Sequence, residues 1–149
     1  MARQRSIFSL LLVILATFLI SCGGPSVAVA PPTYTASQLE KIQEYVPEIQ
    51  AVRDRSEELQ QLIQNQDWIN VGNFIHGPIT EARLNVTYIT PNLLPKDQST
   101  ARQITRDLLN HLVKIDRAAK IGNTQLALSN YKATIADIDK FLELLPKTS

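Results

Sequence analysis

Asp107 and His111 stand four residues apart in a stretch of helical periodicity, so a carboxylate and an imidazole share one helix face and form the best pair in the chain for holding a metal ion. Two ligands are too few for a closed site, and a metal there requires a third donor from another segment. The commoner fate of such a pair is a surface contact or a histidine bonded at the edge of a core. His76, the only other histidine, precedes Gly77-Pro78, where a bent backbone frees a carbonyl for it to bond. No glycine-rich phosphate loop, zinc-protease helix or nucleophile elbow is present, and no nucleophile has a neighbouring base. The sequence therefore predicts no enzyme and no cofactor. Trp68, Tyr88 and Tyr131 are numerous enough for an aromatic ligand pocket, although aromatic residues at helical spacing more often fill a core.

The one residue placed for covalent chemistry is Cys22, the sole cysteine. Arg3 and Arg5 precede an uncharged apolar run at 7–20, which ends in Leu19-Ile20-Ser21-Cys22 and is followed by Gly23-Gly24-Pro25. A positive start, an apolar segment, small residues and a cysteine make a bacterial lipoprotein signal. As a helix the 14 apolar-run residues would reach about 21 Å, short of the roughly 30 Å hydrocarbon core, so an anchoring span is the weaker reading. Ala28-Val29-Ala30 offers a rival cleavage site that would release a soluble chain. It is disfavoured by Pro31 beside the cut and by its distance from the apolar run. Acylation of Cys22 also explains an unpaired cysteine in an exported protein, and two acyl chains are about what stable membrane attachment requires.

Removing residues 1–21 leaves 128 residues, the size of one domain, with 13 basic against 14 acidic side chains. A formal charge near −1 gives no general attraction to nucleic acid. A lone cysteine excludes a disulfide framework, so packing alone must hold the core. Residues 22–36, with Pro25, Pro31 and Pro32 among small uncharged residues, read as a short flexible tether.

Positioning falls to four predicted helices, at about 37–65, 67–90, 97–121 and 123–145 within a domain of 37–149. In the first, Ser37 and Glu40 fit a capping box. Leu39, Ile42, Val46, Ile49, Val52, Leu59 and Ile63 form its apolar stripe, with a polar gap at Ser56 and a kink or break expected at Pro47. The second, capped by Asp67, is bent or split at Gly77 and Pro78. Between 68 and 95 only Glu81 and Arg83 carry charge, so this helix is either unusually buried or meets a partner on its outer face. A loop at 90–95 presents Leu93 and Leu94. Asp97 or Ser99 then caps the third helix, whose stripe is Ala101, Ile104, Leu108, Leu112, Ile115 and Ala119. Gly122 ends it and Asn123 caps the fourth, which carries Ala127, Tyr131, Thr134, Ile138, Phe141 and Leu145 on one face and stops at Pro146. No segment alternates as a strand does, and four long helices on short connections predict an all-α, antiparallel up-down four-helix bundle behind a lipoprotein signal and tether. Arg83, Arg102 and Arg106, with Leu93 and Leu94, are the candidate surface for docking on an acidic partner.

The order Phe74-Ile75-His76-Gly77-Pro78, then Leu93-Leu94-Pro95-Lys96-Asp97, then Leu144-Leu145-Pro146, behind the lipoprotein signal, resembles the PsbQ-like family of cyanobacterial lipoproteins, relatives of the PsbQ extrinsic subunit of photosystem II. The resemblance covers about 33–149 as well as the signal. It implies a four-helix bundle, lipid-anchored on the lumenal side of the thylakoid membrane. Its partners would be lumenal photosystem II subunits, and it would support the oxygen-evolving complex and its retention of calcium and chloride. It carries over no catalytic residue. The alternative from the residues alone is a membrane-anchored periplasmic lipoprotein that binds a small ligand or metal through the aromatics or through Asp107 and His111.

Overall fold

The structure, a computed structural model, describes residues 32–147. The lipoprotein signal, Cys22 and most of the expected tether lie outside the described residues. Within them the chain forms α1 (Ala36–Asp54), α2 (Ser56–Gln64), α3 (Trp68–Phe74), a π-helical turn (Ile75–Ile79), α4 (Thr80–Ile89), a short 3-10 turn (Thr90–Asn92), α5 (Pro95–Lys120) and α6 (Thr124–Leu144). α1 with α2, and α3 with the π turn and α4, make two interrupted arms. With α5 and α6 they form the four arms of an all-α antiparallel bundle, and the α5–α6 hairpin is its most extensive pairing. No helix among the described residues is long and apolar enough to cross a membrane.

The first arm begins two residues before the expected cap. Thr35, not Ser37, closes the capping box: its hydroxyl accepts the Gln38 N–H at 3.2 Å, and the Gln38 side chain accepts the Thr35 N–H at 3.0 Å. Thr35 and Gln38 satisfy the same one-in-four pattern, and the half-buried Tyr34 just upstream packs on the core and holds the earlier start. Pro47 does not end the helix. Pro47 and Gln43 are both exposed, so the carbonyl that loses its intrahelical bond faces water. The interruption falls instead at Arg55, a single non-helical residue whose guanidinium pairs with Glu58 in the first turn of α2. Ser56, expected as a polar gap, is buried and accepts a hydrogen bond from Arg53.

Gln66 takes a left-handed conformation (φ 57°) in the turn before α3, where Asp67 caps through the Asn70 N–H. Gly77-Pro78 interrupts the α-helical pattern of the second arm without ending the arm. Pro78 cannot donate to the Phe74 carbonyl, and the backbone widens into a π turn in which the Thr80 hydroxyl donates to the Ile75 carbonyl at 2.8 Å. α5 starts at Pro95, whose fixed φ suits the first helical position, so neither Asp97 nor Ser99 serves as its cap. At its other end Gly122 (φ 66°) reverses the chain, and Asn123 caps α6 through the Leu126 N–H at 2.9 Å.

The core runs the length of the bundle. Ile42, Ile49, Leu59 and Ile63 from the first arm meet Val71, Ile79, Val86 and Ile89 from the second, with Ile104, Leu108 and Ile115 from α5 and Ile138 and Phe141 from α6. Leu93 belongs to this set. It is 0% exposed and inserts from the loop before α5 into the end of the core, so it has no surface with which to dock. The expectation that made it a contact residue is corrected: a leucine in a loop between prolines is apolar here because it plugs the bundle.

Candidate functional site

Asp107 and His111 do not converge. The His111 Nδ1 lies 2.9 Å from an Asp137 carboxylate oxygen on α6, while Asp107 accepts a hydrogen bond from the Gln103 side chain at 2.9 Å. The partner of the imidazole is thus a buried carboxylate on the neighbouring helix and not Asp107. Among the described residues no three His, Cys, Asp or Glu side chains are grouped to hold an ion. His76 does not bond the interrupted backbone beside it either. Its side chain is 68% exposed and reaches Asp116 on α5 at 3.3 Å, leaving that backbone to Thr80.

The three aromatic residues are likewise apart. Trp68 opens α3 and Tyr88 closes α4, about 30 Å away along the arm, and Tyr131 is buried in α6. Tyr88 is half exposed and stands against Tyr45 of α1, ring centroids 5.3 Å apart.

Some charged and polar side chains meet across the arms, and others pair within one helix. Arg53 pairs with Asp139 across the first arm and α6, which raises the guanidinium pKa further. Asp116 receives Lys120 at 2.7 Å as well as His76. Hydrogen bonding to Lys120, then to His76, holds its carboxyl below the ordinary range. Other cations, Lys96, Lys114, Arg117 and Lys132 among them, make no ion pair within the described residues, and of these unpaired cations Arg83, Arg102 and Arg106 gather on one groove. Arg106 makes one side-chain hydrogen bond, to Gln103.

These three arginines line one groove of about 390 Å³ between α4 and α5. Arg83 stands on its α4 wall with Thr87, and Arg102 and Arg106 on its α5 wall with Leu109. Gln98 closes one end by donating to the Pro91 and Leu93 carbonyls, which staples the 3-10 turn to α5. The threonine hydroxyls of the lining donate back into their own helices: Thr87 to the Arg83 carbonyl, Thr90 to Val86 and Thr105 to Ala101. The guanidiniums are therefore the side-chain donors left facing the groove, over a lining of methyl groups and leucine. Leu94, half-buried, caps the adjoining end of α5. The arrangement suits a ligand that accepts hydrogen bonds and carries negative charge, and it holds no nucleophile or base.

The sequence profile of PsbQ, described as oxygen evolving enhancer protein 3, matches residues 2–146. The chain belongs to the PsbQ family. Its similarity to CyanoQ of Synechocystis sp. (strain ATCC 27184 / PCC 6803 / Kazusa) is 40% identity over 150 residues, covering all of both chains. The four-helix bundle, first expected from periodicity and from the resemblance, is thus the fold of a PsbQ-family chain.

Sequence reasoning missed the partners rather than the members of this PsbQ-family surface. Asp137, Asp116 and Asp139 each meet a side chain from another arm, 26 to 86 residues away, which spacing along the chain does not reveal. The groove did leave a signal. Gln98, Arg102, Arg106 and Leu109 recur at spacings of four, four and three, and Arg83 and Thr87 lie four apart, so each set occupies one helix face.

Proposed function

We propose that the chain is a non-catalytic extrinsic subunit of photosystem II, held on the lumenal side of the thylakoid membrane by acyl chains on Cys22. Membership of the PsbQ family over the full chain, with its likeness to CyanoQ, carries this reading. The bundle supplies a rigid docking body, and the groove between α4 and α5, with Arg83, Arg102, Arg106 and the adjacent Leu94, is the surface offered to the complex. The tether between Cys22 and the start of α1 would average about 20 Å end to end if flexible, so an anchored domain searches a thin layer above the membrane. Confinement raises its effective concentration at a membrane-embedded partner without any new contact. Support of calcium and chloride retention follows from covering a path by which the ions leave.

Tagged full-length protein, expressed in a cyanobacterial host and purified under mild detergent, is expected to bring photosystem II with it. Its absence from purified photosystem II would contradict the proposal. Cys22→Ser is expected to lower occupancy on the complex and leave the helical content unchanged.

A further inference from the structure

The groove between α4 and α5 is more specific than a basic patch, and its lining says what kind of segment fits. Its free donors are guanidinium N–H groups: the threonine hydroxyls and the Gln98 amide already donate within the protein, whereas Arg106 uses only part of its fork, on Gln103, and Arg83 and Arg102 make no side-chain bond among the described residues. A guanidinium presents a planar fork that matches a carboxylate with two parallel hydrogen bonds, which an ammonium cannot do. Arg102 and Arg106 lie one turn apart on one wall and Arg83 faces them from the other, with Leu109 and threonine methyl groups between. From Gln98 to Leu109 the α5 wall runs about 16 Å, the length of roughly five residues of extended chain.

We infer that this groove binds an extended acidic segment of about five residues, carrying at least two carboxylates and an apolar side chain, from a partner protein. Charge complementarity selects the occupant: three arginines left without an internal carboxylate meet the carboxylates of the segment, and the apolar lining receives the side chain between them. A lipid surface fits less well, since a flat array of headgroups would bridge a concave groove and leave its lining empty. The inference rests on the proposed docking to photosystem II and assigns the chemistry of the partner's contact.

The test uses the full-length protein and a fluorescein-labelled pentapeptide, Glu-Leu-Glu-Leu-Glu, followed by fluorescence polarisation, with Gln-Leu-Gln-Leu-Gln as the neutral control. The acidic peptide is expected to bind, more weakly as salt rises, and the neutral one not. The double variant Arg102→Gln, Arg106→Gln should weaken binding at least tenfold with an unchanged circular dichroism spectrum and melting temperature. Arg102→Lys with Arg106→Lys should fall between, because charge remains while the fork is lost. In photosystem II membranes depleted of the subunit, the double Gln variant should need about tenfold more protein for half-saturation, and excess acidic peptide should displace the wild type. Equal binding of both peptides, or equal binding by wild type and double variant, would overturn the inference. So would binding confined to phosphatidylglycerol vesicles, or a groove that serves only self-association, seen as loss of a dimer in the variant without peptide binding. If wild type and double variant saturate photosystem II alike, the groove inference falls and the subunit reading stands. If the wild type does not associate with photosystem II at all, the subunit reading falls whatever the peptide does.

Discussion

Two parts of α5 treat their polar side chains in different ways. Toward the α6 side and at its far end, His111 meets the buried Asp137, and Lys120 with His76 meets Asp116. On the side facing α4, Arg102 and Arg106 meet no carboxylate of the described protein, although the same helix carries Asp97 and Asp107. A side chain that meets one from a neighbouring arm, as His111 meets Asp137 and His76 meets Asp116, ties that arm to α5. The arginines beside the apolar groove meet no carboxylate of the described protein, and the proposed docking surface rests on that difference.

Breaking the scaffold should have the largest effect. Leu93→Ala removes a fully buried side chain and is expected to cost about 2–5 kcal/mol in chemical denaturation. A loss below about 0.5 kcal/mol would return Leu93 to the surface. His111→Ala leaves the Asp137 carboxylate buried without its imidazole, and the expected cost is about 1–3 kcal/mol. A stabilisation of the wild type by added zinc that disappears in this variant would instead favour a metal at His111.

On the open side the signs separate. Arg102→Gln with Arg106→Gln should change stability by no more than about 0.5 kcal/mol, since both side chains are exposed, while weakening association with photosystem II. Gln66→Gly, in the left-handed turn before α3, should stabilise by about 0.5 kcal/mol, because glycine adopts φ 57° without strain. The smallest effect concerns pH. The Asp116 carboxyl is lowered by Lys120 and His76, so its contribution is present above about pH 4, the unfolded carboxylate range, and is lost as pH falls through the lower folded value. Asp116→Asn should flatten the dependence of stability on pH in that acid window and leave it unchanged at pH 7. An identical acid slope in the variant would contradict the assignment.

The bundle was legible because its stripes are local: Ile104, Leu108, Leu112 and Ile115 announce a helix face whatever surrounds them. Pro47 left a kink or a break open, and the helix continues through it because the carbonyl it abandons belongs to an exposed residue, Gln43, which is a property of the whole fold. Leu93 misled because apolar loop residues either dock outward or plug inward and spacing does not tell which. Asp107 looked like the partner of His111 because it is one turn away, whereas Asp137 lies 26 residues on and comes close only when α6 folds back. The arginines were legible together as one basic docking surface. Their common groove required knowing that α4 and α5 pack side by side.

The most direct measurement is quantitative mass spectrometry of photosystem II purified from cells that express tagged full-length protein, either wild type or with Arg102→Gln and Arg106→Gln. The wild type should be present on the complex and the double variant strongly reduced at equal cellular abundance. Wild-type protein absent from the complex would contradict the account at its centre.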